Sequence, residues 1–146
     1  MACAAERAAS TERGVDVRLV AAARATPEDV LPANGYLFAT PENLAAMSGG
    51  MKDFFDRTYY AALDRIAGRP YATLVCAGSD GTHAARQIER IATGWRLRKV
   101  SEPLIVCTHA QTPDAILAPK TISPEDLARC EALGLTLAAG LALGVY

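Results

Sequence analysis

The stretch Gly35–Arg57, GYLFATPENLAAMSGGMKDFFDR, constrains the fold of this chain more than any other. Tyr36-Leu37-Phe38-Ala39 is an apolar run too short for a helix and reads as a buried strand. Thr40-Pro41 is expected to end it, because proline has no N–H for a ladder and holds the residue before it extended. A loop of small residues follows, then Ser48, whose hydroxyl can accept from the free N–H groups of a starting helix. From Met51 the apolar positions Met51, Phe54, Phe55, Thr58, Ala62 and Ile66 keep helical spacing, while Lys52, Asp53, Asp56 and Arg57 face outward. Strand, tight loop and helix make half of a βαβ unit, whose functional end is the loop.

The rest of the chain repeats that alternation. An alanine-rich helix is expected over residues 2–12, closed by Gly14. Val15–Val20 alternates apolar and polar residues, the period of a half-buried strand. Thr26-Pro27-Glu28-Asp29 is a capping box that starts a short helix running to about Pro32. The helix opened at Met51 is expected to end near Ala67. Tyr71–Ala77 is an almost wholly apolar strand, as expected of one covered on both faces. The small polar loop Gly78–His83 leads into a helix with Ala84, Ile88, Ile91 and Trp95 on one face. Pro103–Thr108 is a further buried strand, His109–Ile122 a loop, and Ser123-Pro124-Glu125-Asp126 caps a last helix. The order α, β, α, β, α, β, α, β, α implies a parallel sheet with right-handed crossovers. Ligands in such sheets bind beyond the carboxyl ends of the strands, so Thr40–Ser48, Ala77–His83 and Thr108–Pro113 share one rim.

Composition narrows the partners. A length of 146 residues fits one domain. The net charge of −1 supplies no electrostatic footprint for nucleic acid and no basic face for a membrane. The apolar run near the carboxyl end is short of the ~20 residues that span a bilayer. Glu6 and Arg7 stand where a signal peptide needs an apolar core, so a cytoplasmic protein is expected. Cys3, Cys76, Cys107 and Cys130 form no C-x-x-C pair. With two unpaired histidines, they point neither to a metal site nor to a hydrolase triad. Reduced core thiols are the expected state of Cys76 and Cys107.

Thr40-Pro41, Met47-Ser48-Gly49, Lys52, Phe55, Asp56 and Arg57 together resemble the TP…MSG…K-x-F-x-D-R signature of the flavodoxin-like superfamily. The branch they resemble is that of NAD(P)H-dependent FMN reductases and quinone-reductase relatives. The resemblance implies an α/β/α sandwich of three layers around a parallel sheet in the order 2-1-3-4-5, with FMN at the switch point. It also implies a homodimer. By resemblance, Thr40, Pro41, Glu42, Asn43, Leu44, Met47 and Ser48 would run along the flavin ring. Ala77, Gly78, Ser79, Asp80 and Gly81 would flank its other edge. Family members open with a strand and a Ser/Thr/Gly-containing loop that cradles the FMN phosphate at a helix N-terminus. Met1–Arg13 align with the later part of that helix. The first, central strand and the phosphate loop are therefore expected to be absent, leaving one N-terminally incomplete domain over 1–146. Val15–Val20 and Tyr36–Ala39 would then flank a slot ~10 Å wide, two strand spacings of ~4.8 Å.

The resemblance implies an FMN-dependent oxidoreductase that passes hydride from NAD(P)H to a quinone or similar small acceptor. Glu42–Ala46 holds no aromatic to cover the ring, which suits an enzyme whose substrates stack there. An electron-transfer flavodoxin is the alternative, although such carriers are usually strongly acidic. A truncated, cofactor-free module is another. Asp80 and His83 are candidates for hydrogen bonding at ring or substrate, with helix capping the other reading of Asp80. His83 is the one catalytic candidate, since an imidazole side chain suits proton delivery. His109 shares the rim, and Asp56 with Arg57 reads as a structural or interface pair.

Overall fold

A computed structural model describes all residues, 1–146. Its helices and strands are α1 (Ala2–Ala9), α2 (Pro27–Val30), β1 (Tyr36–Asn43), β2 (Ala46–Met47), α3 (Gly49–Ala62) and β3 (Pro70–Ala77). Then follow α4 (Thr82–Gly94), β4 (Arg98–Lys99), β5 (Leu104–Cys107), α5 (Pro113–Leu117) and α6 (Pro124–Ala142). β1 pairs in parallel with β3 from Tyr36↔Tyr71 to Pro41↔Cys76. On the other side of β3 lie β4, at Pro70 and Tyr71, and β5, at Leu74–Ala77, also parallel. β4 and β5 are thus one strand interrupted at residues 100–103, and the parallel sheet runs β1-β3-β4/β5.

Three layers result, as a flavodoxin-like sandwich requires. One face of the sheet carries Phe38, Tyr71, Val75 and Ala77 against Phe54, Phe55 and Ile88 of α3 and α4. Trp95 lies fully buried among these rings, its Nε1–H donating to the Tyr59 carbonyl at 3.0 Å. The opposite face packs Leu74, Leu37, Ala39 and Leu104 against Ala4, Ala5 and Cys130 of α1 and α6. The helical spacing read from the sequence holds in α3: Met51, Phe54, Phe55, Thr58 and Ala62 are its buried positions. Ser123 caps α6 by accepting from the Asp126 N–H at 3.0 Å.

The structure corrects the sequence reading at several points. Val15–Val20 is not a strand: its backbone makes no backbone hydrogen bond in the protein. Alternation predicts a strand only where a ladder partner lies alongside, and here none does. The outer edge of β1 is open for the same reason, since Tyr36–Pro41 pairs with β3 alone. Of the order 2-1-3-4-5, the sheet therefore shows the 3-4-5 half. Thr40-Pro41 does not end β1, which continues to Asn43. Proline is tolerated on an edge strand, where its missing N–H deprives no neighbour. α1 stops at Ala9, and α3 at Ala62, where Leu63 and then Asp64, with φ 63°, leave the helical path. Asp56 and Arg57 do not pair with each other. Lys52–Asp56 and Asp53–Arg57 are i,i+4 bridges, and Arg57 also donates to the carbonyls of Ala22 and Ala25.

Candidate functional site

β1, β3 and β5 deliver three loops to one rim. The first is a hairpin, not an open loop: Glu42 pairs with Met47 and Asn43 with Ala46. Its two tip residues, Leu44 and Ala45, have φ of 51° and 61°, as a two-residue hairpin of type I′ requires. Non-glycine residues there cost ~1–2 kcal/mol each, so the surroundings must hold them. They do so at three points. The Met47 N–H donates to Gln87 Oε1 of α4 at 2.9 Å. The Ser48 N–H donates to Thr40 Oγ1 at 3.1 Å. The Gly81 N–H donates to Glu42 Oε1 at 3.1 Å, tying the hairpin to the second loop.

These contacts divide the expected ring-side residues into framework and surface. Thr40 and Met47 are buried. Thr40 fixes Ser48, and Ser48 Oγ accepts from the Met51 N–H at 3.3 Å, so Ser48 is the N-cap of α3. Pro41, Asn43 and the wholly exposed Leu44 form the surface of the first loop. In the second loop Ala77 is buried, while Ser79 and Asp80 are exposed. Asp80 does not cap α4; its carboxylate accepts from the Thr82 hydroxyl at 2.5 Å. Gly81 is the N-cap residue, with φ 79°, and a Cβ there would lie 2.6 Å from Ile105 Cγ2. The third loop is stitched to the second: the Thr108 and His109 N–H groups donate to the carbonyls of Ala77 and Gly78 at 2.9 and 2.8 Å. His83 is exposed in the first turn of α4, and His109 is exposed with φ 55°. Cys76 and Cys130 carry thiols whose pKa burial raises, which keeps them protonated at neutral pH.

One property of the rim has no structural use. The N–H groups of Leu44 and Ala45, and of Gly78, Ser79 and Asp80, donate to no acceptor in the protein. These backbone donors stand on two loops that the Glu42–Gly81 hydrogen bond holds together, and they face solvent. Sequence reasoning missed the contributions of Gln87 and of Glu42 as a brace. Each acts across about forty positions of chain, and no local pattern announces it.

An α/β/α sandwich with its loops at the carboxyl ends of parallel strands is the architecture of the doubly wound folds, the flavodoxin-like class among them. The family model for NADPH-dependent FMN reductases matches residues 3–111. The chain belongs to that family, whose members are flavin-associated oxidoreductases. No curated protein sequence matches it. Among solved structures, a flavodoxin from the domain Archaea superposes with a TM-score of 0.73 at 16% identity, covering 94% of this chain and 85% of that one. A flavodoxin-like WrbA-like protein from Agrobacterium tumefaciens gives 0.65 at 13% identity, covering 97% and 86%. The flavodiiron protein of Giardia intestinalis gives 0.74 at 15% identity; the alignment covers 94% of this chain but 31% of that longer protein. At these identities the likeness is one of fold. No helix is long and apolar enough to cross a membrane.

Proposed function

We propose that this chain is an FMN-dependent NAD(P)H oxidoreductase whose acceptor is a quinone or similar small molecule. The observation that carries the reading is the set of unpartnered backbone N–H groups on the two braced loops. Leu44, Ala45 and Gly78–Asp80 would hold the polar edge of the flavin ring, where small residues let backbone donors approach. When bound, FMN supplies the hydride chemistry, and the protein supplies orientation and electrostatics. Donors fixed before the ligand arrives stabilise negative charge at that edge without having to reorganise. The Glu42–Gly81 bond keeps the loops at one separation. No aromatic side chain stands in Glu42–Ala46, so substrate can reach the ring's face. His83, exposed beside the second loop, is the side chain we assign to proton delivery.

Steady-state oxidation of NADH and NADPH by the FMN-supplemented protein, with a small quinone as acceptor, tests this. FMN-dependent turnover is expected. Ser79→Tyr should abolish both turnover and FMN titration while leaving helix content unchanged. Parent-like titration by that variant would mean that the ring lies elsewhere. The open edge of β1 favours a second reading, a cofactor-free module completed by association with another chain. Protein that stays folded, monodisperse and colourless when FMN is added would select it.

A further inference from the structure

β5 ends at Cys107 and α6 begins at Pro124, and the chain between them carries only the short helix α5. Both ends of this connection stand on the rim. β5 finishes there, and so must α6 begin there. Leu141, near the far end of α6, lies beside Gly35 and Pro70 at the amino ends of β1 and β3. At 1.5 Å per residue the first turn of α6 is ~25 Å away, at the carboxyl ends of the strands. Connections from a strand to the next helix usually take about 2–6 residues, and much longer ones are commonly lids or binding loops. The family match ends at residue 111, so almost all of this connection lies beyond it.

Every residue from Gln111 to Thr121 is exposed. Among them Ile116 and Leu117, adjacent on α5, are 58% and 84% exposed. Two neighbouring large apolar side chains in water gain free energy from any apolar surface that covers them. The segment is also built to move as a unit. Thr112 Oγ1 accepts from the Ala115 N–H at 3.2 Å, and Lys120 Nζ donates to the carbonyls of Ile116 and Ala118 at 2.7 and 2.5 Å. No hydrogen bond joins residues 110–122 to the rest of the protein. At the root, by contrast, the Thr108 and His109 N–H groups are pinned to the second loop. His109 has φ 55°, a conformation disfavoured outside glycine. Rotation about its N–Cα bond leaves both pinned donors in place and re-aims everything after them. At the other end Ala118 is extended ahead of Pro119, which gives the chain slack before Ser123.

We propose that residues 110–122 form a strap that closes over the rim and lays Ile116 and Leu117 on the face of the planar ligand bound there. The first loop offers no aromatic for that face, and its wholly exposed Leu44 is an apolar counterpart across the rim. The strap is then the gate of the site: closed it excludes water and retains the ligand, and open it admits the acceptor. The inference rests on the flavin reading for its choice of ligand.

Limited trypsin cleavage of the intact chain, with flavin fluorescence read on the same samples, is the experiment. Lys120 is the strap's one trypsin site. In the free protein the first cut should fall after Lys120, and saturating FMN should slow it about tenfold or more, because cleavage follows the population of the open form. Quenching of flavin fluorescence reports binding separately. Ile116→Ser with Leu117→Ser should erase the protection and speed FMN dissociation about tenfold. Both side chains are exposed in the free protein, so its thermal unfolding should stay unchanged. Quenching with cleavage at Lys120 unaltered, or a double serine variant protected like the parent, would overturn the strap and leave the flavin reading standing. So would a first cut elsewhere in the free protein. Protection that follows protein concentration rather than FMN would also overturn it, since a second copy would then be covering α5. No quenching at saturating FMN would overturn both.

Discussion

Glu42 and Gly81 show how much of the site rests on single residues. Gly81 carries two separate demands, a positive φ of 79° and a Cβ position 2.6 Å from Ile105 Cγ2 and 3.0 Å from Ala77 Cβ. Gly14 carries only the first, with φ 85° and nothing within 4 Å of its Cβ position. Gly14→Ala should therefore cost ~1–2 kcal/mol, the left-handed backbone term alone. Gly81→Ala should add ~1–3 kcal/mol for overpacking. Denaturant midpoints at constant m-value measure both, and equal losses would mean that the second loop yields freely. The glycine was visible in the sequence as loop chemistry, but its reason was not. Nothing local to Ser79-Asp80-Gly81-Thr82 says that Ile105 lies against it. Thr40 and Ser48 were legible as neighbours of the loop because they sit on its borders. Their mutual hydrogen bonds, which tie the two ends of the hairpin together, were not.

At the scale of elements, helices were easier to read than strand edges. Ser48, Thr26 and Ser123 mark helix starts through hydrogen bonds confined to one turn, which is why caps survive in sequence. The β1–β2 hairpin was illegible because its tip, Leu44-Ala45, lacks the Asn-Gly or Gly-Gly signature of such turns. Long-range contacts to Gln87 and Gly81 impose it instead. The packing of α1 on α6 was equally hidden. Gly134 lies where the helices meet, and a Cβ there would fall 2.2 Å from the Ala5 carbonyl oxygen. Gly134→Val gains a few tenths of a kcal/mol in helix propensity, yet should lose ~1–3 kcal/mol overall because backbone cannot step aside. Hydrogen exchange should localise the damage, with amides of Ala2–Ala9 losing protection while α3 and α4 keep theirs. Unchanged protection of α1 would show that the two helices separate without cost.

Over the whole molecule the sheet is asymmetric, and the asymmetry has a measurable consequence. β3 is paired on both sides, Tyr36–Pro41 of β1 on one, and Val15–Val20 on neither. The amides of Leu74 and Val75 should therefore exchange most slowly, those of β1 faster, and those of Val15–Val20 at nearly free rates. An open edge with apolar flanks also templates pairing with another chain. Leu37 and Ala39 are only partly covered on the α1–α6 face, and Leu19 is 52% exposed. The 146-residue chain is thus expected to associate as its concentration rises, through the free side of β1. Light scattering across a dilution series would reveal the association, and exchange on the same samples would locate it. Protection should grow at Tyr36–Pro41 and nowhere on β3. A chain that stays monomeric throughout the series, with β1 amides already as slow as those of β3, would show that this edge is closed by some arrangement other than the one described.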